Sequence, residues 1–202
     1  MNIAVLGGTF DPIHRGHLMV ADVVCEQLAP AEVVFVCAGQ PWLKGDRLIS
    51  PVTDRIEMVR LAIQGNRHYR LSAVEAERSG PTYTIDTIHD LKAQVSAQDE
   101  LYFILGWDNL LDLPRWQKPM ELISLCKLVA VPRIGLRVPE ETTLEKLLPG
   151  LSKRVILLDK PEIDISASII RERVSRGLPI TNLVPPAVED YIRKQQLYLK
   201  GN

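Results

Sequence analysis

Short apolar runs alternate with amphipathic stretches along the whole chain. Ile3–Leu6, Val33–Val36, Tyr69–Ala73, Leu101–Leu105, Leu128–Val131 and Val155–Leu158 are short, predominantly apolar segments bounded by Gly, Pro or polar residues. That pattern predicts strands buried on both faces, as in a parallel sheet. Between them Leu18–Leu28, Thr53–Ile63, Ile85–Val95 and Ile169–Val174 place apolar residues at helical spacing. A last helix is predicted over about Pro186 to Leu197, with proline in its first turn, where the missing N–H costs nothing. Strand and helix alternating in this way define an α/β, Rossmann-like doubly wound, mostly parallel sheet. No repeat, low-complexity tract or linker interrupts the 202 residues, so the chain reads as a single domain over residues 1–202. Such sheets bind ligands at the carboxyl ends of their strands, near a switch in strand order.

Composition narrows the field. A net charge of -1 and an aromatic content of 5% argue against a nucleic-acid surface, which needs a basic excess or stacking platform. No apolar run approaches the length of a membrane span, and Met1–Leu6 lacks the charged start of a signal peptide. Cys25, Cys37 and Cys126 have no metal-ligand or C-x-x-C spacing and read as reduced thiols. The chain is expected to be cytoplasmic, with no nucleic-acid or membrane partner. From Ser152 onward nine Lys/Arg face six Asp/Glu, a modest local basic excess.

The chemistry concentrates in Gly7-Gly8-Thr9-Phe10-Asp11-Pro12-Ile13-His14-Arg15-Gly16-His17-Leu18, directly after the first strand. Two glycines there allow a sharp turn and close approach of backbone to a ligand. Helical periodicity starts near Arg15, so the turn delivers the chain to a helix N-terminus, a ready anion site. His14 and His17 are three residues apart and share a face at the first turn. Gly16 between them costs about 1 kcal/mol relative to alanine in a helix, which asks for a reason such as ligand approach. The segment is neither a dinucleotide G-x-G-x-x-G nor a P-loop. A metal site at the two histidines would lack further ligands at suitable spacing, and a plain structural turn is the bland alternative. Two imidazoles beside a helix dipole suit a phosphate whose charge shifts during reaction.

With its His14-Arg15-Gly16-His17 core, this segment resembles the signature of the nucleotidylyltransferase superfamily that shares the H-x-G-H motif with class I aminoacyl-tRNA synthetases. Within it the chain resembles the bacterial nicotinate-nucleotide adenylyltransferases. The similarity returns at Ser79–Thr84, Gly106-Trp107-Asp108, Leu113–Trp116 and Ile165–Arg171. The resemblance implies transfer of the adenylyl group of ATP to nicotinate mononucleotide, giving nicotinate adenine dinucleotide and pyrophosphate, with Mg²⁺ carried on the ATP. It implies an ATP site of Gly7, Gly8, Thr9, Phe10, His17, Gly106, Asp108, Ile165, Ser166, Ser168 and Arg171. Catalytic groups would be His14, His17, Lys44 and Arg171. The nicotinate-nucleotide site would use Lys44, Thr82, Tyr83, Thr84 and Trp116, the indole stacking on the pyridine ring. The C-terminal helical part, about 165–202, would complete the phosphate site. No resident metal is expected, and the assembly would be a monomer or homodimer. Ser166 and Ser168 also precede a helix and read equally well as caps. The family usually has threonine where this chain has Ser168, and Pro-Pro-His-Lys where it has Pro41-Trp42-Leu43-Lys44. Sister transferases using nicotinamide mononucleotide or phosphopantetheine, and a non-catalytic nucleotide sensor, are the alternatives.

Overall fold

The computed structural model describes residues 2–41, 49–78, 80–96, 98–132, 134–135, 137–161 and 163–199. Six parallel strands form one sheet: β1 (Asn2–Gly8), β2 (Glu32–Cys37), β4 (Tyr69–Ser72), β6 (Glu100–Gly106), β7 (Lys127–Val131) and β8 (Val155–Leu157), in the order β4-β2-β1-β6-β7-β8. Each coincides with a predicted apolar run. β1 is central: Leu6 lies in register with Phe35 of β2 on one side and Ile104 of β6 on the other. The chain builds outward from β1 first toward β4 and later toward β8, so strand order reverses at the β1/β6 boundary. That boundary is the expected ligand crevice.

Alternation along the strands separates two cores. Ala4, Leu6, Val33, Phe35, Ile104 and Val129 face one layer, built from α1 (Arg15–Leu28), α2 (Val52–Ile63), α7 (Ala167–Ser175) and α8 (Pro186–Lys194). Ile3, Val5, Val34, Val36, Phe103 and Leu128 face the other, built from α3 (Thr84–Ala93), α4 (Trp107–Leu111), α5 (Pro119–Leu125) and α6 (Glu141–Leu147). Burial on both faces explains why the inner strands β1, β2, β6 and β7 carry unbroken hydrophobic runs, while the edge strand β4 (Tyr-Arg-Leu-Ser) is half-buried and admits Arg70, paired with Glu32 of β2 at 2.8 Å. The pattern did not predict α4, α5 or α6, nor the small parallel pair β3 (Gln40–Pro41) and β5 (Pro81–Thr82). Elements of two to seven residues are too short to display a period.

The glycines of the first loop differ from expectation. Gly7 and Gly8 do not make the turn; they end β1, paired in register with Val36 and Cys37. The positive φ falls on Phe10 (49°) instead, whose ring folds back so that a Cβ on Gly8 would lie 2.9 Å from it. Gly8 is required by that ring. Packing also favours glycine at position 16, because a Cβ there would meet Ile163 Cγ2 at 2.6 Å and the His14 ring at 3.0 Å.

Candidate active site

At the carboxyl end of β1 a cavity is lined by Thr9, Phe10, Asp11, His14, His17, Ile49, Ala167 and Arg171. The first loop thus meets the start of α7, more than 150 residues later in the chain. His14 is the N-cap of α1, with extended backbone and a side chain only 6% exposed. Its ring stacks on that of His17, centroids 3.7 Å apart and planes at 25°. Phe10 meets His17 edge-on at 5.0 Å. The His14 N–H donates to His17 Nδ1 at 3.2 Å. A nitrogen that accepts carries no proton, so His17 is held in the tautomer with its proton on Nε2, as a donor. The helix end is not a bare anion site: the Arg15 N–H donates to Leu183 O at 2.9 Å and the His17 N–H to His14 O at 2.9 Å. The two imidazoles therefore carry more of the site's chemistry than the dipole alone would.

Arg171 projects from α7 toward the same loop. It donates to the Asp11 carbonyl through Nη1 and to Ser168 Oγ through Nη2 at 3.3 Å, and lies 3.8 Å from the Asp11 carboxylate. Asp11 is 4% exposed, and its Oδ1 accepts from the Tyr198 hydroxyl at 2.8 Å. Burial first, and then the neighbouring Asp11, push the Tyr198 hydroxyl well above its ordinary value, so it stays a donor. Asp11 holds Arg171 in place and partly offsets its charge. Ser166 realises its capping role, its Oγ accepting from the Ile169 N–H at 3.3 Å. Ser168 reaches the site through Arg171. Ile165 packs against the α1/α2 core.

The other predicted residues distribute around this centre. Gly106 ends β6, the strand beside β1 across the switch, and is the N-cap of α4; Asp108 is exposed in the first turn of that helix. Trp116 packs edge-on against Phe103 at 6.0 Å, and Phe103 in turn lies 3.4 Å from where a Gly7 Cβ would be. One ring therefore separates Trp116 from the end of β1. Thr82 is 6% exposed, and among the described residues its buried hydroxyl has no hydrogen-bond partner. Tyr83 is the N-cap of α3 and Thr84 its first residue. Lys44 lies outside the described residues. Asp11 and Tyr198 had no assigned role from the sequence. Each gains its place only through contacts with residues far along the chain, which no local pattern signals.

Among the described residues no group of three or more His, Cys, Asp or Glu could hold a metal ion. The donors at the cavity are two imidazoles and a guanidinium, and the Asp11 carboxylate is engaged by Arg171 and Tyr198. These residues do not form a resident metal cage. They suit an anion, or a cation that arrives on one.

Comparison with known proteins agrees with this chemistry. A family described as cytidylyltransferase-like matches residues 5–173. A Dehalococcoides mccartyi protein named "Probable nicotinate-nucleotide adenylyltransferase" is 52% identical over 200 residues, covering 99% of this chain and 98% of its own. A Thermomicrobium roseum protein of the same name is 43% identical over 196 residues, covering 97% and 91%. Among solved structures, Plasmodium falciparum nicotinic acid mononucleotide adenylyltransferase complexed with NaAD superposes with a TM-score of 0.80. It is 25% identical, with coverage of 98% of this chain and 97% of that one.

Proposed function

This chain belongs to the cytidylyltransferase-like family, and from that membership and the site's geometry we infer that it is a nicotinate-nucleotide adenylyltransferase. It transfers the adenylyl group of ATP to nicotinate mononucleotide, releasing pyrophosphate and forming nicotinate adenine dinucleotide, a step of NAD biosynthesis. The observation that carries the reading is the convergence of His14, His17 and Arg171 on one cavity at the strand-order switch.

In this reaction a phosphate oxygen of the mononucleotide, already ionised at neutral pH, forms a bond to the α-phosphorus of ATP. The bond from that phosphorus to the bridging oxygen breaks, and the electron pair leaves with pyrophosphate. No proton has to be removed from the nucleophile, so no protein base is needed. What accelerates the step is in-line positioning and stabilisation of charge developing on the phosphoryl and leaving groups. We assign His17 Nε2–H and Arg171 as donors to that charge, with His14 stacked behind His17 and Lys44 as a further cation. Gly7, Gly8, Thr9 and Phe10 form the wall for the triphosphate. Gly106 and Asp108, across the switch, offer a carboxylate to the ribose hydroxyls. Ile165, Ser166 and Ser168 shape and orient the α7 clamp.

For the acceptor, the Asp86 N–H of α3 is engaged by Tyr83 O at 3.1 Å, and the two N–H groups ahead of it, of Thr84 and Ile85, lie too early in the helix for an intrahelical carbonyl and favour a carboxylate. Thr82, Tyr83 and Thr84 therefore form the acid-reading side, with Trp116 beside the ring. Mg²⁺ enters with the triphosphate as part of the substrate, since the site supplies no cage for it. Residues 1–202 act as one domain, with about 165–202 completing the phosphate site. The protein works in the cytoplasm as a monomer or homodimer; no described helix is long and apolar enough to cross a membrane.

Pyrophosphate release tests the reading, with nicotinate and nicotinamide mononucleotides compared by kcat/KM. A preference of about 100-fold or more for the acid, about 2.7 kcal/mol, is expected from a dedicated carboxylate site. Near-equal use would overturn the acid-reading role of Thr82–Thr84. Turnover of neither would overturn the function.

A further inference from the structure

Arg55 lies on α2, a helix packed against the sheet, and is 2% exposed. Its guanidinium reaches four separate places on the backbone. Nε donates to Ser50 O at 3.0 Å, Nη1 to Ala38 O at 2.6 Å and to Thr9 O at 2.9 Å, and Nη2 to Gly39 O at 3.0 Å. Nη1 also meets Cys37 Sγ at 3.3 Å. All the oxygen partners are main-chain carbonyls. A buried cation held by neutral carbonyls is an expensive way to fill a core position that an apolar side chain would fill more cheaply. What a guanidinium supplies there and an apolar side chain does not is fixed geometry between chain segments, through a planar fork of donors.

The segments it joins belong to the two halves of the reaction. Thr9 lies in the loop that lines the phosphate cavity. Ala38 and Gly39 follow the last ladder contact between β1 and β2, where the Ala38 N–H donates to Gly8 O at 2.9 Å. From Gly39 the chain enters β3, whose Gln40 and Pro41 pair in register with Pro81 and Thr82 of β5. β5 leads directly to the N-terminus of α3, the acceptor side in the functional reading above. Gly39 packs closely on the backbone of Glu75, where a Cβ would lie 2.2 Å from the carbonyl oxygen. Glu75 in turn accepts from the Thr87 hydroxyl of α3 at 2.6 Å. A displacement at Ala38–Gly39 would therefore pass to Thr82 and α3.

We propose that Arg55 is a positioning residue for adenylyl transfer, fixing the ATP loop at Thr9 relative to the β3–β5 pair that carries the acceptor loop. The proposal rests on the adenylyltransferase reading. Each substrate keeps its own local contacts when Arg55 is lost, but their mutual in-line alignment is not kept. Alignment is a property of the transition state, so its loss appears in kcat and not in binding.

The test compares Arg55→Lys and Arg55→Met with the unmodified protein. Pyrophosphate release gives kcat, and calorimetry gives the affinity and stoichiometry for ATP and for nicotinate mononucleotide separately. A lysine ammonium keeps the charge but cannot reach all four carbonyls. The expected result for Arg55→Lys is a kcat about 10- to 100-fold lower, with both dissociation constants within about threefold and stoichiometry unchanged. Arg55→Met should fall further, so that lysine counts as a partial rescue. A kcat for Arg55→Lys within about threefold of the unmodified protein overturns the proposal, whether or not the methionine variant folds. So does a kcat loss matched by an equal loss of binding-competent sites, which is the mark of a merely structural residue. Turnover of neither mononucleotide by the unmodified protein, with ATP binding intact, would bring down the functional reading itself and the proposal with it.

Discussion

Replacing His17 with alanine separates the two tasks this side chain performs. As a cap it accepts the His14 N–H at 3.2 Å, and as a ring it stacks on His14 at 3.7 Å and meets Phe10 at 5.0 Å. Losing the cap costs about 1 kcal/mol, and losing the ring contacts costs about 0.5 to 1.5 kcal/mol more. For a chain of this size each kcal/mol moves Tm by about 2–4 °C, so a fall of about 3 to 10 °C is expected. In the proposed mechanism, Nε2–H is a donor to charge that develops only in the transition state. Removing one such donor costs about 3–4 kcal/mol, a kcat loss of about 10²- to 10³-fold. His17→Gln distinguishes the two effects. Glutamine three residues after a cap can reach back to the cap N–H, as in a capping box, and should recover part of the Tm. It should leave kcat at least about 10-fold low, because its amide does not reproduce the imidazole donor's position. Thermal unfolding and steady-state pyrophosphate release on the same preparations supply both readouts. A folded His17→Ala protein with kcat within about threefold of the unmodified one would refute the assignment.

Two further outcomes follow from the buried groups near the site. Tyr198→Phe removes the donor to the buried Asp11 Oδ1 at 2.8 Å, costing about 1.5–3 kcal/mol; thermal unfolding should show the loss, and ATP KM should rise as Arg171 loosens, whereas an unchanged Tm and KM would remove Tyr198 from the network. Burial pushes the thiols of Cys37 and Cys126 up from 9.0 to about 11 and about 12. Above pH 9 the unfolded chain therefore gives up those protons while the folded chain keeps them, and stability is lost as the pH rises, by up to about 1.4 kcal/mol per pH unit for each thiol. Denaturant midpoints between pH 8 and 11 should fall, and less steeply in Cys126→Ala; parallel slopes would contradict the burial argument.

The inner sheet strands could be read from the chain because a parallel strand buried on both faces must be apolar along its buried length, and that need is local; the half-buried edge strand β4 left the weaker trace Tyr-Arg-Leu-Ser. Long helices were legible for the same reason, through the face they bury. The H-x-G-H segment was legible because cap, first turn and ring pair lie within four residues, and the structure stacks His14 on His17 as that spacing implies. Local rules also left some causes unseen. Gly8 and Gly16 also sit against the Phe10 ring and Ile163, and neither neighbour can be inferred without the folded backbone. Tertiary structure alone decided the polar network. Arg171 is 160 positions from Asp11, Tyr198 is 187 from it, and Arg55 is 46 from Thr9. No periodicity spans such separations. A hydrophobic stripe reports only that an element must be covered, whereas a hydrogen bond between distant groups depends on strand order, helix placement and loop path together. The strand-order switch beside β1 is where these coincide: the first loop and the start of α7 line one cavity, and Tyr198 reaches it only through Asp11.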